Sequence, residues 1–252
     1  MFPASLNRFF VVVVTLLACA CTTITPDYAR EQRWAEEIVP SLVVGDAVRI
    51  ETASKRRFLG ILAESPKSRG AIILMHGSGV HPDFAIVGQL RSLLNDAGFS
   101  TLSIQMPVLA GDAPASDYPG VFAEANERIA AAIEFLRLKK QTRIALVSHS
   151  MGARMALDFL KRNPASALAA WVPLAISDGE LTGLPRVTFP VFDVYAERDF
   201  EAVLARKSDR AAALRALPGS KQVMVFATDH FFAGREKEVA MLLGELLGPA
   251  FK

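Results

Sequence analysis

Apolar and polar positions along this chain fall into two periods. Ala47 to Ile50 and Phe58 to Ala63 read as two strands about a charged turn at Ser54-Lys55-Arg56. From Ala71 onward, short, largely apolar runs take over: Ala71 to Met75, Ser100 to Met106, Ile144 to Val147, Leu168 to Leu174, Val191 to Tyr195 and Gln222 to Phe226. Each reads as a strand, and the continuous run Ala71 to Met75 suits a strand covered on both faces. Stretches at helical spacing separate them. Phe84 to Ala97 carries Ile86, Val87, Leu90, Leu93 and Leu94 on one stripe, stopped by Gly98. Phe122 to Lys139 carries Ile129, Ile133 and Leu136; a helix from Ala153 ends at Asn163-Pro164, and Glu236 to Leu247 is the last helix. Phe200 to Leu217 reads as one helix whose outer, solvated face holds Arg206, Lys207, Asp209 and Arg210. An early helix spans Asp27 to Glu37, with Trp34 and Ile38 on its apolar side and Pro40 at its end. Two leading strands followed by β-α units predict an α/β fold: a mostly parallel eight-stranded sheet with helices on both faces. Ligands of such sheets bind beyond the carboxyl ends of the strands.

Composition narrows the class. The 252 residues are 51% hydrophobic and 21% charged, enough for one large globular core. With 28 basic and 26 acidic residues the chain has no basic excess suited to nucleic acid. Both cysteines, Cys19 and Cys21, precede the folded body, which therefore has no disulfide, thiol nucleophile or Cys/His cluster for zinc. No cofactor or metal is expected.

The amino terminus reads as a targeting segment. Asn7-Arg8 precedes an apolar run from Phe9 to Ala18 that is too short to span a bilayer, which takes about 20 residues. Leu16-Leu17-Ala18-Cys19 resembles a bacterial lipoprotein signal, which implies cleavage after residue 18 and lipidation of Cys19; Cys21 is the poorer candidate. Ala20 after the cysteine resembles the pattern sent to the outer membrane. The expected organisation is a signal peptide over 1–18, a lipidated tether and helix over 19–40, and an α/β domain over 41–252. The expected location is the cell envelope, lipid-anchored and facing the periplasm.

The chemistry centres on Ser148-His149-Ser150-Met151-Gly152, between the strand from Ile144 and the helix from Ala153. Strand, sharp turn and helix are the setting in which G-x-S-x-G presents an exposed nucleophilic serine. Here Ser148 replaces the first glycine, still a small residue. The competing reading of Ser150 is a helix N-cap. A serine hydroxyl needs a base, and histidine suits neutral pH. Of four histidines, His149 adjoins the serine and is expected to point away from it, whereas His76 and His81 follow the third strand. His230 follows the last strand and opens onto the same edge as Ser150, so it is the expected base. Asp199, just beyond the strand from Val191, is the expected carboxylate, in the order Ser, Asp, His. Glu197 is the alternative acid, and Asp199 could instead cap the helix that follows. An oxyanion hole is expected from the N–H of Met151 and the His76-Gly77-Ser78-Gly79 loop, at Ser78 with Gly77 beside it. That loop lacks the lysine of a P-loop and the spacing of a dinucleotide fingerprint.

From about Leu42 to Lys252 these segments resemble the α/β-hydrolase superfamily. The stretches His76-Gly77 through Phe84, Leu102 to Pro107, Asp193 to Asp199 and Asp229-His230-Phe231-Phe232 are closer still to a bacterial family of exported hydrolase-like proteins of uncharacterised function. The resemblance implies the fold, with no large lid because the segment from Leu174 to Pro190 is short. Two functions follow as expectations. One is a lipid-anchored serine hydrolase cleaving an ester or related acyl bond, with an open site walled by Gly79 to Asp83 and Val108 to Gly120 that suits small, accessible acyl substrates. The other is a non-catalytic envelope lipoprotein that binds a cell-wall component or protein partner on the same scaffold.

Overall fold

The computed structural model describes residues 24–177, 181–184 and 187–251. The expected signal peptide over 1–18, Cys19 and Cys21 lie outside them. Eight strands form one sheet: β1 (Asp46–Glu51), β2 (Arg57–Ala63), β3 (Ala71–Met75), β4 (Ser100–Ile104), β5 (Ile144–His149), β6 (Ala170–Leu174), β7 (Phe192–Arg198) and β8 (Lys221–Asp229). Their order is β1-β2-β4-β3-β5-β6-β7-β8. β2 runs antiparallel to β1 and β4, and from β3 to β8 every pairing is parallel. Parallel strands need crossovers. Helix α1 (Tyr28–Ile38) precedes the sheet; α2 (Ala85–Asp96), α3 (Phe122–Leu138), α4 (Met151–Arg162), α5 (Glu201–Leu204) and α6 (Lys207–Leu214) lie in the crossovers, and α7 (Glu236–Leu247) follows the sheet.

The two-sided burial behind the apolar runs is visible in the core. Ala71, Ile73 and Met75 of β3 join Ile144 and Leu146 of β5 in the cluster packed on α3 and α4. Ile72, Leu74, Ala145 and Val147 face the other way, onto α2 and α7. Alternate residues of a strand point to opposite faces, so a strand roofed on both sides must be apolar throughout. Helix α1 packs Ala35 and Ile38 on Leu59 and Ile61 of β2. Between β6 and β7 the described residues form a short turn at Leu181–Gly183, with Leu181, Val187 and Phe189 buried in the core; among the described residues there is no large lid.

Several expected boundaries shift. Strand β4 ends at Ile104, two residues short of Met106, because the Gln105 N–H turns to the Leu59 carbonyl and the Met106 N–H to the His76 ring. Strand β6 starts at Ala170 because Leu168 closes a turn on Ser166. Strands β7 and β8 run on to Arg198 and Asp229, past the apolar residues that flag them. The single helix expected over Phe200 to Leu217 is two, α5 and α6, broken at Ala205-Arg206. The break corrects the solvated-face reading of Arg210. Its side chain is fully buried, with Nε 2.8 Å from Asp193 Oδ2 and Nη1 2.8 Å from the Val203 carbonyl. A buried guanidinium needs a carboxylate and carbonyl partners, and the kink lets it reach them.

Candidate active site

Strand β5 delivers the serine. Ser150 sits between β5 and α4 at φ 54°, ψ −119°, outside the regions an L-residue adopts without strain. Its N–H is held by the Leu174 carbonyl at 2.9 Å. Ser150 occupies the N-cap position of α4, yet its hydroxyl bonds no backbone N–H there. The capping role therefore does not account for the residue. Such a tight turn requires strand and helix to approach closely. A Cβ on Gly152 would stand 2.4 Å from the His76 carbonyl oxygen, so only glycine fits. Ser148, on the other side, is fully buried and its Oγ accepts the indole N–H of Trp171 at 2.9 Å.

Three side chains, remote in sequence, meet at the carboxyl edge of the sheet. The Ser150 hydroxyl lies 3.0 Å from His230 Nε2. His230 Nδ1 lies 2.6 Å from Asp199 Oδ1. A carboxylate accepts only, so Nδ1 carries the hydrogen and Nε2 is free to accept from the serine. Asp199 is fixed in turn: the Phe200 N–H donates to Oδ1 at 2.9 Å and the Ala196 N–H to Oδ2 at 3.1 Å. The N-cap of α5 is Phe200, not Asp199. Glu197, the alternative acid, accepts the Ala227 N–H at 2.9 Å. Asp193 is occupied by Arg210, and Asp229 accepts the N–H groups of Phe231 and Ala233.

Two further histidines serve as buried struts. His149 Nε2 donates to the His230 carbonyl at 2.9 Å, and the two rings lie 4.9 Å apart. Burial pushes the His149 ring down to about 4, with the neighbouring His230 acting in the same direction. His76 Nε2 accepts the Met106 N–H at 2.9 Å, which leaves Nδ1–H to donate to the Gly77 carbonyl at 2.8 Å. Burial pushes this ring down to about 3. Both rings are neutral at neutral pH and brace His230 and the glycine loop. The adjacency of His149 to Ser150 was legible; its grip on the His230 backbone was not.

The glycine loop lies against the serine: a Cβ on Gly77 would stand 3.2 Å from Ser150 Cβ. Among the described residues the N–H groups of Ser78 and Met151 donate to no protein acceptor, whereas the Gly79 N–H is taken by the Tyr118 hydroxyl at 2.9 Å. The cavity here encloses about 190 Å³ and is lined by Ser78, Val80, Phe84, Phe200, Phe231 and the serine–histidine pair, among others. The Phe200 ring stacks on His230 at 4.0 Å, and Phe231 meets it edge-on at 5.3 Å. These rings were not singled out from the sequence, although each directly follows a residue that was: Phe200 after Asp199, Phe231 after His230. Larger grooves, such as that between α2 and α7, lie away from these groups. No cluster of three metal-ligating side chains occurs among the described residues.

Comparison with known proteins places this geometry. A model described as the alpha/beta hydrolase family matches residues 72–248. A second, described as a protein of unknown function (DUF3530), matches residues 19–124. No curated protein matches the chain. Among solved structures, Est1E from Butyrivibrio proteoclasticus is 15% identical, with a TM-score of 0.65 over 82% of this chain and 98% of its own. Dienelactone hydrolase from Anabaena variabilis is 21% identical, TM-score 0.65, over 80% and 95%. The esterase Pf2001 of Pyrococcus furiosus is 14% identical, TM-score 0.67, over 82% and 93%. At these identities the similarity establishes the fold.

Proposed function

The chain belongs to the alpha/beta hydrolase family, and from that premise we propose that it is a serine hydrolase acting on an ester or related acyl bond, anchored in the bacterial envelope through Cys19. The observation that carries the reading is the unbroken relay from Asp199 through His230 to Ser150, at 2.6 Å and 3.0 Å, on a serine whose backbone is held in a strained turn. A solved neighbour named as an esterase is consistent with it.

In this reading the Ser150 hydroxyl passes its proton to His230 Nε2 as Oγ adds to the acyl carbon. Asp199 keeps the ring in the accepting tautomer and stabilises the imidazolium that forms. The negative charge on the carbonyl oxygen is met by the unpaired N–H groups of Met151 and Ser78, each worth roughly 3 kcal/mol to the transition state. Collapse of the tetrahedral adduct breaks the bond to the leaving alcohol, which takes the proton from His230. Water then enters and gives a proton to His230 as its oxygen adds to the acyl carbon; the acyl–Oγ bond breaks, His230 returns the proton to Ser150 Oγ, and the acid leaves.

A fluorophosphonate probe tests the reading. Folded wild-type protein should be labelled and Ser150→Ala should not. Folded wild-type protein that resists labelling and hydrolyses no short ester would replace the enzyme with a binding protein built on the same scaffold.

A further inference from the structure

The first described residues of the chain are seated on the loop from Val108 to Gly120, which, against expectation, does not line the cavity of Ser150 but meets the glycine loop that does. The Ile24 side chain packs on Gly120, where an added Cβ would stand 2.8 Å from it. The Asp27 N–H donates to the Val108 carbonyl at 2.7 Å. Arg30, in the first turn of α1, donates to the Leu109 carbonyl at 2.9 Å and to the Gly79 carbonyl at 3.2 Å, next to Ser78. Tyr118 closes the circuit by accepting the Gly79 N–H. The amino-terminal tether therefore leaves the domain at the carboxyl edge of the sheet, beside the glycine loop. Between Ile24 and Cys19 are five residue steps, which span at most about 17 Å even fully extended.

That same edge is apolar. Among the described residues eight large hydrophobic side chains are exposed, and four of them concern this edge: Phe84, Phe200 and Phe231 line the cavity that holds Ser150, and Ile24 lies on Gly120 of the neighbouring loop. They are between 39% and 54% exposed. Half-buried Trp34 continues the patch through His81, at 5.6 Å, which in turn meets Phe84 at 5.7 Å. Phenylalanine and tryptophan on one face of a protein are the groups that sink into the headgroup–acyl boundary of a bilayer.

We propose that this rim is a membrane-docking surface. Phe84, Phe200, Phe231 and Ile24 rest on the bilayer that holds the acylated Cys19, and the mouth of the site opens onto that surface. The esters it cleaves are then ones presented at the bilayer rather than drawn from bulk solution. The proposal rests on the anchored-hydrolase reading above. The tether is short and leaves the domain beside the glycine loop, so acylation of Cys19 holds this edge, and not the α2–α7 side, at the membrane. Exposed apolar side chains gathered about one cavity mark an interaction site. The bilayer is the partner that the tether length selects.

The test uses the full chain, expressed with its own signal and reconstituted into liposomes of phosphatidylethanolamine and phosphatidylglycerol with plain or brominated acyl chains. The chain has two tryptophans. In a Trp34→Phe background, which leaves only the buried Trp171, a reporter is placed at the rim by Phe231→Trp and on α7 by Met241→Trp; Phe84→Trp is a second rim reporter in case the first misfolds. Brominated lipid should quench a rim reporter at least twofold and leave the Met241→Trp reporter unchanged. Equal quenching at both places, or none at the rim, overturns the proposal. So does a mature protein whose mass shows Cys19 unacylated, or a rim reporter whose emission shifts with protein concentration in detergent but ignores bromine, which would assign the patch to a second copy. Fluorophosphonate labelling of Ser150 in detergent is read separately, so loss of docking and loss of catalysis are distinguishable.

Discussion

Ser148 stands where the G-x-S-x-G pattern has glycine, and the structure gives its hydroxyl a task that can be measured. It is the acceptor for the Trp171 indole N–H at 2.9 Å, in a place where neither side chain reaches water. Ser148→Ala keeps the strand and removes only the acceptor. A buried donor left without a partner costs about 1–3 kcal/mol. For a chain of this size that is roughly 2–4 °C of melting temperature for each kcal/mol. Trp171→Phe removes the donor instead; it strands the Ser148 hydroxyl and leaves the space of the lost ring empty, so it should cost more. The double variant has no stranded polar group. Its loss should fall short of the sum of the two by at least about 1 kcal/mol, the signature of residues in direct contact. Ser148→Gly, which restores the pattern, should be worse than Ser148→Ala by about 0.5–1 kcal/mol, because glycine loses more backbone freedom in a strand. Urea denaturation of the four proteins and the wild type measures all of this, with fluorophosphonate labelling as a check that the turn survives. A neutral Ser148→Ala, or single losses that add within about 0.5 kcal/mol, would refute the argument that the hydroxyl is held by the indole.

Two other outcomes follow from the same coordinates. Asp199→Asn should lower kcat on a short ester by about 10⁴-fold with little change in KM, since the amide favours the wrong tautomer of His230; Glu197→Gln, whose parent bonds a backbone N–H, should stay within a few-fold of wild type. Acid should weaken the fold through the two buried rings. The unfolded chain protonates its histidines below about 6.5, whereas folded His149 resists to about 4 and His76 to about 3. Between those values the unfolded state binds more protons, so stability is greatest above about pH 6.5 and falls as pH drops, by up to about 1.4 kcal/mol per unit for each ring. His149→Gln keeps a donor for the His230 carbonyl and cannot titrate. The difference between its urea midpoints and those of wild type from pH 7.5 to 4.5 isolates the His149 share, and parallel curves would remove it.

Much of this protein was legible before any coordinates. Strands that are buried on both faces must be apolar throughout, so β3 and β5 announced themselves, and the change of period before each helix set out the β-α order. Ser150, Asp199 and His230 could be chosen because a parallel sheet puts the loops after its strands on one edge, whatever the separation along the chain. Contacts that depend on two side chains meeting across the fold left no mark in the pattern. Arg210 looked like one more charge on a solvated helix until a kink between α5 and α6 turned it onto Asp193. Ser148 looked like a weakened motif until Trp171 came to lie beside it. His149 and His76 read as bystanders until their rings were found bracing a carbonyl each. Periodicity reports which face of an element is dry, because burial is a property of one residue at a time. Which polar groups pair inside that dry volume is a property of two, and only the folded chain brings the two together.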